Sequence, residues 1–324
     1  VDDLWHAAVN GHGSYFGAQD PASLSAGLAS ALAGLKVRNA AASASATSTP
    51  NVTLEDNDIF SATFRTVKWD GEFIAQKVDT ATGEVIAGAT WSAQSLLNDK
   101  VSDSSDTRII YTADFGGGVP MLKPFLWGSL SAAEQAYFKD KCAGGDQLSQ
   151  CATLSASEKT QANLGQNMVD YLRGQQAMEI TSPPIYRQRE NILGDIASAK
   201  PAYVRSPRRN YGDLGYTAFK ESNASRQAMV YVAANDGFLH ALNATNGQEA
   251  WAYVPHLVFS NFHELADSNY GNNHTYFVDG SPEASDVYIG GQWRTLLVGG
   301  LNKGGRGYSA LDITDPFTPQ PLWE

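Results

Sequence analysis

Long apolar runs, cysteines and positive charge are all scarce in this sequence of 324 residues. No uninterrupted apolar run reaches the roughly 18 residues that a membrane helix needs, so we expect no membrane span. Only 23 lysines and arginines stand against 34 aspartates and glutamates, for a net charge of -11. Because so acidic a chain is repelled by nucleic acid and by anionic lipid headgroups, we expect no nucleic-acid partner.

The sequence also lacks an initiator methionine and a charged-then-apolar leader, and Val1 is followed at once by Asp2 and Asp3. We interpret the chain as a piece of a longer one, whose signal peptide, if it has one, is outside this sequence.

The two cysteines, Cys142 and Cys151, are separated by a short polar segment. A pair that closes a short loop is typical of secreted proteins, and its cross-link stabilises the fold by about 2–3 kcal/mol. Two free thiols or half of a metal site are the alternatives, although no third or fourth ligand lies at zinc spacing. We therefore predict a disulfide between Cys142 and Cys151.

The beginning of the chain differs in pattern from the rest. Four leucines recur at helical spacing between residues 24 and 35, whereas residues 40–49 are almost entirely Ala, Ser and Thr. The first pattern predicts a helix and the second a linker or mobile loop. We therefore predict an N-terminal helical and linker segment over residues 1–58 and a partial β-propeller over residues 59–324.

From residue 59 the apolar period changes to two, which is the spacing of β-strands. A less regular stretch, about residues 95–215, contains a predicted strand at 107–113 and predicted helices at 131–139 and 160–173. We interpret this stretch, which includes both cysteines, as an insertion on a β scaffold. Further strands are predicted at residues 229–234, 238–242, 249–254, 276–279, 285–290, 293–299 and 307–312.

One sequence unit occurs three times, at residues 64–91, 230–251 and 295–323. Each copy reads as a strand, a glycine-containing turn, a strand that ends near Asp or Asn, a second turn and a tryptophan. A single unit cannot bury both of its faces, whereas units packed around an axis can, so the repeat predicts propeller blades. The tryptophan is a large apolar plate that suits the gap between neighbouring blades.

The unit resembles the PQQ-type repeat of quinoprotein dehydrogenases. This resemblance indicates a class of fold but does not indicate an activity, since one fold hosts many functions. Three copies and a long insertion do not close a ring of seven or eight blades. The predicted fold is therefore all-β, an incomplete or modified β-propeller with quinoprotein-like blades and helical insertions.

The enzymes that this repeat resembles hold their quinone with two adjacent cysteines and a calcium ion, and use an aspartate as base. Cys142 and Cys151 are not adjacent, so we predict no bound PQQ and no enzymatic activity. Asp236, Asp279 and Asp312 are better explained as turn residues than as catalytic carboxylates. We predict no catalytic and no cofactor-binding residue.

The histidines fit no zinc-protease pattern. His256 and His263 are predicted to share one face of a helix after Pro255, and His240 to lie in a strand. We interpret all of the histidines as surface or capping residues. They are His6, His12, His240, His256, His263 and His274.

Four segments are more specific than the repeat. They are residues 2–21, the run Leu193-Gly194-Asp195-Ile196 with the Tyr203-Val204 that follows it, residues 276–282 and residues 293–312. In this order they resemble the C-terminal domain of the PilY1/PilC family of bacterial type IV pilus tip proteins, although residues 197–200 depart from the family pattern.

The resemblance implies a pilus biogenesis factor and tip-located adhesin that supports pilus assembly, retraction control, surface attachment and twitching motility. The implied partners are minor pilins of the tip complex and a host or abiotic surface. The implied location is extracellular, at the pilus tip or bacterial outer surface, reached through the periplasm. A PQQ-dependent dehydrogenase-like propeller and an outer-membrane scaffold propeller are the alternatives.

The resemblance also implies calcium, held by an EF-hand-like loop that we expect beyond residue 324. The acidic residues 55–58 lack the alternating spacing and central glycine of such a loop, and we interpret them as solvated. Some family members carry Arg-Gly-Asp, but the match here is Arg173-Gly174-Gln175. Because the carboxylate is missing, we expect no integrin binding by that route.

Overall fold

The computed structural model describes the backbone of residues 39–41 and 46–47 and all of residues 57–324. The helix predicted between residues 24 and 35 lies outside the described residues. The described chain is mostly β-sheet with a few short helices, so the predicted fold class is confirmed. Its strands form three sheets that do not close into a ring, as expected of an incomplete propeller.

The strands of the described residues alternate with turns along most of the chain. They are β1 Asn39–Ala41, β2 Ala46–Thr47, β3 Asp58–Arg65, β4 Asp70–Lys77, β5 Trp91–Ser92, β6 Ile110–Asp114, β7 Met121–Pro124, β8 Ala202–Val204, β9 Met229–Ala233, β10 Leu239–Asn243, β11 Glu249–Tyr253, β12 Glu283–Ile289, β13 Gln292–Gly300, β14 Tyr308–Asp312 and β15 Gln320–Trp323.

The described helices are short and begin and end at residues suited to those places. They are α1 Ala93–Asn98, α2 Ala132–Gln135, α3 Ala156–Ala162, α4 Gly165–Arg173 and α5 Tyr216–Ser222. Ser131 and Ser155 start α2 and α3 with capping boxes, in which a serine and a glutamate satisfy free N–H groups. Gly174 ends α4 at φ 117, a conformation that favours glycine.

Each sheet is assembled mainly from strands that follow one another in the chain. The first has the order β1-β3-β4-β5, with β2 also on β3, and the third has the order β12-β13-β14-β15. The second has the order β7-β6-β11-β10-β9-β8, in which β6 lies parallel to β11. All five residues of β9 are buried, so this strand lies deep in the core.

Two stretches are more closely built into the sheets than the sequence predicted. Within residues 40–49, interpreted as a linker, β1 and β2 pair with β3 through the backbone. Within residues 95–215, interpreted as an insertion, β6, β7 and β8 are strands of the second sheet. Backbone pairing needs little side-chain bulk, so apolar periodicity does not reveal it.

Two local predictions were wrong. Residues 276–279 do not form a strand, because the N–H of Asp279 binds the Leu301 carbonyl at 3.2 Å in an irregular segment. The helix predicted through His256 and His263 is two short 3-10 helices, His256–Val258 and Phe262–Ala266. Pro255 fixes only the start of the first of them.

The tryptophan of each repeat occupies the same register position in its sheet, directly opposite an alanine of the preceding strand. The pairs are Trp91 with Ala75, Trp251 with Ala241, and Trp323 with Ala310. In the second and third sheets a register shift follows that alanine.

Two of these tryptophans reach the next sheet along the chain. The indole N–H of Trp91 binds the Ala244 carbonyl at 3.0 Å, and that of Trp251 binds the Pro316 carbonyl at 2.8 Å. Each acceptor lies in the turn between the last two strands of the neighbouring sheet. The tryptophans therefore fill the gaps between blades, as predicted, while Trp323 is 47% exposed.

Candidate functional site

The segment 193–200 connects all three sheets through its backbone. Gly71 of β4 donates its N–H to the Leu193 carbonyl at 2.9 Å. Asn235, which follows β9, donates its N–H to the Asp195 carbonyl, also at 2.9 Å. The run Leu-Gly-Asp-Ile thus joins the first sheet to the second.

The same segment continues toward the third sheet. The Ser198 N–H donates to the Asp279 carboxylate at 3.1 Å, and the Lys200 N–H donates to the Ser281 hydroxyl at 2.9 Å. Both acceptors lie just before β12. Asp279 therefore ties two segments together and does not act as a turn residue of its own loop, which corrects the interpretation of this aspartate.

Gly194 is required where the junction is tightest. A Cβ atom at this position would lie 2.2 Å from the backbone nitrogen of Asp236. The Gly194 N–H donates to the Asp236 carboxylate at 3.0 Å. Only glycine allows two backbones to approach this closely, so the glycine of this run is explained by packing.

The buried carboxylate of Asp195 is fully satisfied by side chains. Asn235 donates its side-chain N–H at 2.8 Å, and His274 lies with Nε2 at 2.9 Å. The His274 ring also stacks on Trp69 with centroids 3.9 Å apart. His274 is thus part of the junction and neither a surface nor a capping histidine.

Beside the junction lies a cluster of three basic and three acidic side chains. It consists of Arg108, Arg173, His240, Asp106, Asp236 and Glu249. Arg108 binds both carboxylate oxygens of Glu249, at 2.9 and 2.8 Å, and Arg173 forms an ion pair with Asp106. With all six groups ionised the charges balance.

His240 carries a positive charge in this cluster. Its Nδ1 lies 2.8 Å from Glu249 and its Nε2 lies 3.2 Å from Asp236, so both ring nitrogens face carboxylates and both donate. Burial by itself lowers the pKa of His240, but the charges and hydrogen bonds of Asp236 and Glu249 outweigh it and raise the pKa to about 9.

The centre of the cluster is buried. The side chains of His240 and Glu249 are 0% exposed and that of Arg108 is 1% exposed, whereas Asp236 is 10% exposed and lines a small surface depression beside Gly194. We assign the cluster to holding β10, β11 and the end of α4 together, because breaking a buried ion pair is costly.

The other sequence candidates fall into two groups. Asp236 and Asp312 accept the N–H of the residue two positions on, Phe238 at 3.2 Å and Thr314 at 2.9 Å, as turn residues do. The interpretation of the histidines as surface or capping groups was wrong for His240, which is fully buried, and for His263 and His274. His6 and His12 lie outside the described residues.

His263 is buried without a hydrogen-bond partner for Nδ1 in the described part of the chain. Burial, with a smaller contribution from the charge of Lys141, lowers the pKa of this histidine to about 4. The ring is therefore neutral at physiological pH. A lone neutral imidazole cannot act as a metal centre by itself.

The remaining predictions concern ligands. Cys142 and Cys151 form a disulfide with Cα atoms 5.4 Å apart. Arg173 is buried and paired with Asp106, so the Arg-Gly-Gln sequence is not displayed as an adhesive loop. Over residues 57–324 no three or more His, Cys, Asp or Glu side chains are grouped so as to hold a metal ion.

The surface feature best suited to binding is a basic groove made of three adjoining depressions. Their volumes are about 590, 400 and 360 Å³. The basic side chains that line them, from one end to the other, are Lys220, Arg209, Arg208, Arg205, Arg226 and Lys77. In the sequence Arg205, Arg208 and Arg209 lie within one run of five residues, whereas Lys77, Lys220 and Arg226 come from other segments.

Comparison with known proteins identifies the family. Residues 193–324 match the family model described as the PilY1 beta-propeller domain. The chain is 34% identical over 343 aligned residues to the type IV pilus biogenesis factor PilY1 of Pseudomonas aeruginosa strain PAK, which covers all of this chain and 27% of that protein. The chain thus spans about a quarter of the length of this relative.

Two further similarities involve PilY1 proteins. A PilY1 homolog of Xylella fastidiosa is 38% identical over 213 residues, 63% of this chain and 17% of that protein. The crystal structure of the P. aeruginosa PilY1 C-terminal domain is 36% identical over 38% of this chain and 24% of that one, with a TM-score of 0.31. None of the described helices is long and apolar enough to cross a membrane. On the family-model match and the 34% identity over the whole chain, this chain belongs to the PilY1 family, with residues 193–324 in its β-propeller domain.

Proposed function

We propose that this chain acts in type IV pilus biogenesis as part of a tip-located adhesin. In this proposal it supports pilus assembly, retraction control, surface attachment and twitching motility by binding minor pilins and a host or abiotic surface. Its place of action is then extracellular, at the pilus tip. The observation that carries the proposal is the 34% identity over the whole chain to a protein named as a pilus biogenesis factor.

The described structure supports a binding role in two ways. The segment 193–200 and the interblade tryptophans fix the three sheets against one another, so the loops are displayed from a rigid scaffold. Loops on a rigid scaffold are where recognition is usually placed. The buried ion pair of Arg108 with Glu249, whose side chains are at most 1% exposed, adds to the rigidity of that scaffold.

The proposal is tested in the source bacterium by deleting the gene and restoring it with or without residues 193–324. We expect loss of sheared surface pili and of twitching zones in the deletion strain, and recovery only with the complete gene. Co-purification with minor pilins from the restored strain tests the partner. Wild-type piliation and twitching in the deletion strain would contradict the proposal.

A further inference from the structure

The basic groove concentrates positive charge on an acidic protein. The chain has 23 basic residues against 34 acidic ones. Yet the central depression is lined by four arginines and a single carboxylate, that of Asp286. Both oxygens of that carboxylate are already hydrogen-bonded within the protein, to Thr295 and Tyr216, each at 2.7 Å. Two further carboxylates, Asp58 and Glu221, line the outer depressions, and Lys77 is already paired with Asp58 at 2.8 Å. Basic side chains still outnumber acidic ones along the groove, and most of that excess lies in the central depression.

Arg226, in the middle of the groove, is held only by neutral acceptors in the described residues. Its Nε donates to the Arg205 carbonyl at 2.8 Å, and its Nη1 donates to the Thr295 hydroxyl at 2.7 Å. Several arginines elsewhere in the described chain bind carboxylates directly, whereas Arg187 donates to the carbonyls of Leu265 and Lys68. Examples of the carboxylate-bound arginines are Arg65, Arg108, Arg173, Arg189 and Arg294.

The guanidinium of Arg226 is half-buried, and its interactions within the protein replace only part of the hydration that burial removes. Burial lowers the pKa of Arg226, and the attraction of Asp286 offsets this only in part. A guanidinium whose partners are neutral gains from a carboxylate, because the opposite charge adds a Coulomb attraction that a carbonyl or hydroxyl does not supply. An anion in the central depression would supply that partner.

Lys220, at one end of the groove, also donates to neutral acceptors. Its ammonium donates to the Arg209 carbonyl at 3.2 Å and to the Asn210 side-chain oxygen at 3.0 Å, both of them neutral. The side chain of Arg209 is exposed between Lys220 and the central depression. Arg205 and Arg208 also line the groove and have contacts of their own within the chain.

An aromatic side chain lines the groove beside Lys220. Tyr211 is 37% exposed and stacks on Trp293 with ring centroids 5.5 Å apart. Aromatic anchors beside arginines are the composition of protein interfaces rather than of sites for small inorganic anions.

We propose that the basic groove binds an extended acidic peptide segment of a protein partner, with carboxylates at Arg226, Arg209 and Lys220 and an apolar residue against Tyr211. The three depressions adjoin in a row, which fits a chain of several residues better than one anion. The inference rests on the proposed mode of action, which is protein binding.

The test uses a fluorescein-labelled ten-residue peptide of alternating Glu and Ala with one central Leu, titrated against the whole chain by fluorescence anisotropy. We expect saturable binding that weakens as NaCl rises from about 50 to 300 mM, because salt screens exposed charges. Inorganic phosphate and a single-stranded DNA 10-mer are the competitors, and we expect neither to displace the peptide at equal concentration.

Two exposed charges are removed together in the variant R209Q/K220Q, which leaves the buried core untouched. Its Kd should rise by about fivefold to tenfold, as expected for loss of two rim charge pairs. The matched control is R306Q, which removes an exposed arginine outside the groove and should leave Kd unchanged. The circular dichroism of both variants should match that of the parent chain.

Three results would overturn the inference. They are absence of peptide binding at low salt, equal weakening by R306Q and R209Q/K220Q, and displacement of the peptide by DNA or phosphate at equal concentration. None of these results would contradict the proposed role in pilus biogenesis, because piliation and twitching of the deletion strain are measured separately.

Discussion

Trp251 of the second sheet donates its indole N–H to the carbonyl of Pro316 in the third sheet, across 2.8 Å. The tryptophan is 1% exposed and its acceptor lies in the turn before β15. Trp91 makes the equivalent contact with Ala244 one sheet earlier. In the first two repeats, one residue thus supplies both the apolar filling and the hydrogen bond that join neighbouring blades.

Replacing Trp251 should destabilise the fold far more than replacing Trp323. W251A should lower the free energy of unfolding by about 3–5 kcal/mol, because a large buried side chain is lost. W323A, at the same register position but 47% exposed, should cost clearly less. Urea unfolding followed by circular dichroism measures both. Equal losses for the two variants would show that the interblade contact does not contribute.

Stability should fall as pH rises above neutrality because of His240. Its pKa is raised to about 9 in the folded protein, above the ordinary value near 6.5. The contribution of protonated His240 to the free energy of unfolding is therefore complete below about pH 6.5 and is lost as pH rises through 9. Urea midpoints at pH 6, 7, 8 and 9 test this.

The control for that series is H240Q, which cannot titrate. The variant should be less stable at pH 6 by a few kcal/mol, since it removes one charge from a balanced buried cluster. Its midpoint should also change less between pH 6 and 9 than that of the parent chain. A parent midpoint that is flat over this range would contradict an imidazolium at His240.

His263 should produce the opposite dependence at acidic pH. Its pKa is lowered to about 4, so the unfolded chain takes up a proton between about pH 6.5 and 4 while the folded chain does not. Stability should therefore fall as pH falls through this window. In H263F, which replaces the neutral ring by an apolar one, the loss between pH 6.5 and 4.5 should be smaller than in the parent chain.

Adding a single methyl group at Gly194 should disrupt the junction between the sheets. In G194A the new Cβ would lie 2.2 Å from the Asp236 nitrogen, and backbone atoms on both sides would have to move. We expect a loss of at least about 2 kcal/mol of unfolding free energy. G212A is the matched control, because a Cβ there meets no atom within 4 Å. If G194A were as stable as G212A, close packing at Gly194 would not be needed for the junction between the sheets.

Breaking the disulfide should weaken the region of α2 to α4. The pair Cys142–Cys151 closes a short loop, so C142S/C151S should lower the free energy of unfolding by about 2–3 kcal/mol. Thermal unfolding of the variant beside the oxidised and reduced parent measures the effect. The reduced parent should behave like the variant, and a difference between them would point to a packing role of the serines.

The sequence by itself determined the features that depend on neighbours along the chain. The alternation of β10, β13 and β14, the turns at Asp236 and Asp312, and the recurring tryptophan all follow from short-range periodicity. The resemblance of residues 193–196 and 276–282 to the PilY1 family could also be recognised from the sequence. These patterns are local, so they survive without knowledge of the partners that each strand meets.

Only the tertiary structure decided which distant groups meet. Nothing in the sequence around His240 indicates that Glu249 and Asp236 enclose it, or that Arg108 balances them from another strand. The sequence also does not indicate that β6 pairs in parallel with β11. Nor does it indicate that Arg209, Lys220 and Arg226 line one groove. Burial and charge at these sites depend on contacts between residues far apart in the chain, and those contacts are set by packing of the sheets.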